Sequence, residues 1–139
     1  MNMIQSLIAL PETRDWRELL SACKFAEVDP YLETLCLRVA TAAAASQVGS
    51  YRSRGVMTLV EVVIEIRASG WNAGGILELL AACSVDENLS EVIAPRSVFE
   101  HAEYGPLIPY VTKRRGQRVL VLEPLTAQIS DSIQVLVIQ

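Results

Sequence analysis

His101 is the only histidine of the chain, and the string "EHAE" sets it between Glu100 and Glu103. His-x-Glu is the first half of a zinc-deaminase motif, in which the histidine holds the metal and the glutamate moves protons. The second half, Pro-Cys-x-x-Cys, is absent. The cysteines Cys23, Cys36 and Cys83 are widely separated, so no pair has metal-ligand spacing, and all three fall in apolar-periodic segments. They read as buried, reduced thiols behaving as small hydrophobes. A Cys–His nucleophile pair would need folding to bring His101 beside one of them, which nothing in the sequence predicts. "GWNAGG" offers backbone N–H groups to an anion, yet it lacks the Lys and Ser/Thr of a phosphate-binding loop and follows no clear strand. A helix–helix turn is the simpler reading. These residues point away from an enzyme, and they imply no metal and no cofactor.

Phosphate contact has a better candidate. Lys113, Arg114, Arg115 and Arg118 cluster in "KRRGQR", and a basic turn of this kind grips nucleic-acid backbones when it projects as a wing. The whole chain argues the other way, with 12 Lys and Arg against 16 Asp and Glu and a formal net charge of −4. Non-specific polyanion binding draws its affinity from neutralised phosphates, so an acidic chain is poorly suited to it. "LLAACSVDENLSEVI" has the cadence of a helix-turn-helix, but Asp86, Glu87 and Glu91 would repel the duplex. The basic turn also suits a plain solvated loop that keeps a sheet edge from pairing.

The elements that hold these residues are legible to different degrees. At 139 residues the chain is long enough for one domain with a substantial core. "TRDWRELLSACKFAEV" and "DPYLETLCLRVATAAAAS" read as helices, the second with Asp29 as N-cap and Pro30 at the first helical position. "SQVGSYRSRG" reads as a polar loop. "RGVMTLVEVVIEIRASG" superficially resembles the leader junction of a type IV prepilin, but Gly55 lies deep inside the chain and the apolar run stops at Arg67, short of a membrane span. As a helix, Thr58 is its N-cap, Glu61 completes a capping box and Gly70 supplies the stop. As a strand, the alternating Val60, Val62, Ile64 and Ile66 compete with that reading. The cap and stop signals favour the helix, which leaves Glu61 and Glu65 on a solvated face. Asn72 is placed to cap a fourth helix through "AGGILELLAACS", and "VDENLSEVI" reads as a short fifth.

After Pro95 the pattern changes. "PLIPYVT" and "RVLVLEP" flank a turn at Gly116 and predict a hairpin, while "LTAQIS" and "SIQVLVIQ" read as further strands. The expected fold is therefore α+β: an N-terminal helical layer of four to five helices over residues 1–94, packed on a small antiparallel sheet from residues 95–139, all in a single domain.

The run "LVEVVIEIRASGWNAGGILELLAACSVDENLSEVI" and the opening "LIALPETRDWRELLSAC" together resemble the bacterial effector-associated domains, death-like helical adaptors, over residues 4–93. That resemblance implies a helical bundle that binds other proteins through helix surfaces and has no catalytic residues.

The combined reading is a non-enzymatic protein–protein interaction or adaptor module that self-associates as a homo-oligomer. Ile133, Val135 and Val137 on an uninterrupted terminal strand, with Glu61 and Glu65, form the expected partner interface. The alternatives are a small nucleic-acid-associated regulator using the basic turn, and an acidic inhibitor or immunity-type protein. The first residues lack the basic region and cleavage site of a signal peptide, and no charge-free run reaches about 18 residues. A cytoplasmic protein with no membrane partner is expected.

Overall fold

The computed structural model describes residues 4–8, 15–34, 47–124 and 128–139. Among the described residues, the elements with full bounds are eleven strands and three helices, in the order β1 (Ile4–Ile8), α1 (Trp16–Cys23), β2 (Glu27–Val28), β3 (Val48–Tyr51), β4 (Met57–Thr58), α2 (Leu59–Ala68), β5 (Asn72–Ala73), α3 (Ile76–Val85), β6 (Val92–Ile93), β7 (Phe99–His101), β8 (Gly105–Arg114), β9 (Gln117–Pro124), β10 (Gln128–Ile129) and β11 (Gln134–Ile138). Residues 32–34 are also helical, and the rest of the helix expected after Asp29, with Cys36, lies outside the described residues.

A nine-stranded mixed sheet organises the chain, with the order β1-β3-β11-β6-β8-β9-β2 and with β5 added to β11 and β7 to β8. Strands β11 and β6 pair in parallel, as do β2 and β9, and the other ladders of this sheet are antiparallel. The short strands β4 and β10 form a separate two-stranded ribbon. This overturns the helical layer over a small C-terminal sheet, and the helical bundle with it. Residues 4–93 contribute strands β1, β2, β3, β5 and β6 to the main sheet, so sheet and helices are interleaved along the chain rather than divided at residue 95. The loop expected at "SQVGSYRSRG" contains β3, a strand buried along its whole length. The expected fifth helix is a turn followed by β6: the Asp86 carboxylate accepts from Asn88 N at 3.0 Å, which closes the chain back on itself after α3.

The sheet is covered on both faces. On one side Leu19, Cys23, Leu79, Leu80 and Cys83 of α1 and α3 pack on Val48, Val92, Val111, Leu120, Leu136 and Ile138. On the other, Leu59, Val62 and Ile66 of α2 pack with Tyr51, Ile93, Ile108, Ile129, Val135 and Val137. Alternate residues of β11 therefore feed two different cores, which is why "VLVI" from Val135 to Ile138 is apolar throughout: a strand buried on both faces has no polar side to present.

Local chemistry explains the helices. Asp15 caps α1 by accepting from Arg17 N at 2.9 Å. Leu59–Ala68 is a helix, not a strand: Thr58 Oγ1 accepts from Glu61 N at 3.2 Å and donates to the Glu61 carboxylate at 3.1 Å. The helix ends at Gly70, whose φ of 84° is the left-handed conformation glycine adopts without penalty. Helix α3 begins differently from expectation. Asn72 belongs to β5, Gly75 is the N-cap without a side chain to offer, and Ser97 Oγ accepts from Ile76 N at 2.8 Å in its place.

Candidate functional site

Strand β9 carries Arg118, Leu120 and Leu122 on one side of the sheet, and that side faces α1 and α3. Arg118 is 9% exposed. Its Nη1 donates to Asp86 O at 2.8 Å and Leu89 O at 3.2 Å, and its Nη2 donates to Cys23 O at 2.8 Å and Cys83 O at 3.0 Å. The guanidinium also stacks 5.1 Å from the centre of the Phe25 ring. Cys23 and Cys83 belong to the last turns of α1 and α3, where aligned peptide dipoles concentrate partial negative charge. Arg118 is thus a clamp on two helix ends, its donors spent on carbonyls, and is withdrawn from the basic cluster in which its sequence position had put it.

Ala22, Cys23, Lys24, Cys83, Ser84, Val85 and Glu87 complete a polar cavity of about 360 Å³ around this arginine. Burial favours the protonated form of both thiols there. Burial pushes Cys23 up to about 11 and Cys83 up to about 12, against the opposing pull of the Arg118 charge. Cys23 Sγ donates to Leu80 O at 3.2 Å. His101 lies elsewhere, among Tyr31, Phe99 and Tyr104. Its Nδ1 accepts from Glu103 N at 3.0 Å and Tyr104 N at 3.2 Å, so it closes a backbone turn.

Glu91 is a residue that the sequence marked only as a repulsive charge. Its φ of 54° is left-handed, a conformation costing a non-glycine residue on the order of 1 kcal/mol. The Tyr110 and Thr112 hydroxyls of β8 donate to its carboxylate, and Gln134 N donates to its carbonyl at 2.8 Å. Partial burial pushes this carboxyl up, but the Thr112 and Tyr110 hydroxyls, the Lys113 N–H and the Lys113 charge outweigh it and hold the group below its ordinary value. Tyr110 also borders an apolar cleft of about 200 Å³ with Leu59, Ile93, Ile108, Ile129 and Ile133.

The residues expected to meet a partner are not brought together. Val135 and Val137 are fully buried, and Ile133 is half-buried in the same core. Strand β11 has β3 on one side and β6 and β5 in succession on the other, so it offers no free edge of the kind expected. Glu65 is half-buried and accepts from the Tyr51 hydroxyl at 2.7 Å, while Glu61 is exposed on α2. Lys113, Arg114 and Arg115 are exposed at the β8–β9 turn, where Arg115 and Gly116 both have positive φ, as a two-residue type I′ hairpin turn requires.

What the sequence reading passed over is the outer face of α2. Val60 and Ile64 are 69% and 63% exposed, and Val56 just before the helix is 65% exposed. Their spacing was visible as the alternative strand pattern, but it was not read as a second apolar face of the helix. Among the described residues no group of three or more His, Cys, Asp or Glu is arranged to hold a metal ion, and no helix is long and apolar enough to cross a membrane. Comparison with protein families, curated proteins and solved structures gave no significant match.

Proposed function

We propose that this chain is a non-catalytic protein–protein interaction module that associates with a second copy of itself through the outer face of α2. The observation that carries this reading is the exposure of three aliphatic side chains, Val60 and Ile64 on α2 and Val56 just before it. Val60 and Ile64 are one helical turn apart and share a face. The opposite face of α2, Leu59, Val62 and Ile66, is already spent on the core. A helix apolar on two sides is suited to burial on both, and the second side needs a partner. Glu61 on one flank and Arg67 at the C-terminal end of the same face, both exposed, supply a polar rim. Symmetric self-association is the commonest use of such a surface. The groups that carried chemical potential in the sequence are engaged in the fold itself: Arg118 on four carbonyls, His101 Nδ1 on a turn, Cys23 on Leu80 O. A reducing cytoplasmic setting suits the free thiols of Cys23 and Cys83.

Light-scattering mass across a concentration series tests the reading. In about 1 M salt, where contacts between charges are screened, the wild-type mass should rise from monomer to dimer, and a Val60→Lys/Ile64→Lys variant with an unchanged circular dichroism spectrum should stay monomeric. A wild-type protein that is monomeric at every concentration overturns it.

A nucleic-acid reading is supported by the exposure of Lys113, Arg114 and Arg115 on the hairpin turn. With Arg118 withdrawn and a net charge of −4 it stands second. Complexes that weaken steeply with salt and vanish when those three become Ala would reverse the order.

A further inference from the structure

Four aromatic rings form a continuous chain on the surface near the start of β8. Phe99 lies 4.9 Å from Tyr31, Tyr31 lies 5.3 Å from His101, and His101 lies 4.8 Å from Tyr104, centre to centre. Tyr31 is 45% exposed and Tyr104 is 66% exposed. The two segments that carry the rings, residues 29–34 and 99–105, contain Asp29, Glu33, Glu100 and Glu103 and no Lys or Arg. Ring faces are the negative side of the aromatic quadrupole, so rings and carboxylates together present a surface matched to a cation, and to guanidinium above all.

The cations that match it are on the same molecule and out of reach. Arg114 and Arg115 are exposed and have no ion pair among the described residues. Strand β7 pairs with the first residues of β8, Phe99 with Leu107 and His101 with Gly105, whereas the basic turn closes the far end of the same strand at Arg114 and Gln117. Nine residue steps of extended chain separate the two ends, about 30 Å. One copy therefore cannot satisfy itself, but a second copy placed end to end can.

We propose that the Arg114–Arg115 turn of one copy docks on the Tyr31–Phe99–His101–Tyr104 patch of the next, its guanidinium groups stacking on the rings and pairing with Glu103. This contact rests on the self-association reading and names a second surface for it, separate from α2. It is heterologous, so a docked pair keeps one free turn and one free patch and the assembly grows beyond a dimer.

Light-scattering mass of the full chain and of two charge-reversed variants, Arg114→Glu/Arg115→Glu and Glu103→Lys, tests it. The wild type should form species larger than a dimer, and these should be lost between about 0.1 M and about 1 M salt as the screening length falls from about 10 Å to about 3 Å. Each variant alone should stop at the dimer, and mixing the two should restore the larger species. Larger species that survive both reversals, or that only the turn variant abolishes, overturn the docking while leaving self-association standing. A wild-type mass that saturates at the dimer also overturns it. A wild-type protein that never exceeds the monomer removes both.

Discussion

Arg118 Nη2 lies 3.0 Å from the carbonyl oxygen of Cys83, and through this bond a strand of the sheet holds the last turn of a helix packed against it. The same nitrogen holds Cys23 O, so β9, α1 and α3 meet at one guanidinium. Replacing Arg118 with Met should cost about 3 kcal/mol or more, because hydrogen bonds from a charged donor are lost and buried carbonyls are left unpaired. Urea unfolding with an unchanged slope is the measurement. Arg118→Lys should recover only part of the loss, since a point-like ammonium cannot span four carbonyls in the geometry of a planar fork.

Gly74 is fixed by contact rather than by backbone conformation. A Cβ there would sit 2.9 Å from Leu136 Cδ2 and 3.2 Å from Leu136 O, and Gly74 N donates to that same oxygen at 2.7 Å. Leu136 is buried in β11, so it has no room to yield. Gly74→Ala should destabilise the fold by about 1–3 kcal/mol, read from the thermal midpoint.

Acid should weaken the protein through Glu91. Its carboxyl is held below the ordinary value of 4.5 in the folded chain, so its contribution is present above that value and is lost as pH falls through the lowered folded one. Glu91→Gln should lower stability at neutral pH and flatten the acid limb of stability plotted against pH. An unchanged acid limb would remove Glu91 from the account.

Alkali should act on the other side of the sheet. An unfolded thiol titrates near 9.0, whereas folded Cys23 and Cys83 titrate near 11 and 12. Their contribution is complete below about 9 and is lost as pH rises through the folded values. At pH near 8 an alkylating reagent should leave both unlabelled in the native protein and label both in urea, with peptide mass mapping to keep Cys36 separate.

The elements that could be read from sequence are those whose signals are local. Thr58, Glu61 and Gly70 mark α2 within a dozen residues, and Gly116 between two apolar runs marks the β8–β9 hairpin. Strands β1 and β3 carry no such mark: Ile4–Ile8 pairs with Val48–Tyr51, which pairs in turn with Gln134–Ile138, and these distant pairings make them strands. The apolar run in β11 was visible, but it was read as an edge for a partner when it reports burial on both faces. Arg118 had a signal too. Counting by twos from Leu120 and Leu122 places it on an inward face, where a charge must find partners rather than phosphate.

The position of β11 governs how the fold can be reached. Residues 134–138 lie between β3, about 85 residues earlier in the chain, and β6, about 40 earlier. Until they arrive during synthesis, β3 and β6 each expose a row of unpaired backbone groups, and the two halves of the sheet have no common strand. Closure of this kind is slow, because a long loop must be ordered before any contact repays it. The nascent chain is therefore most prone to mispair with its neighbours just before its middle strand is made.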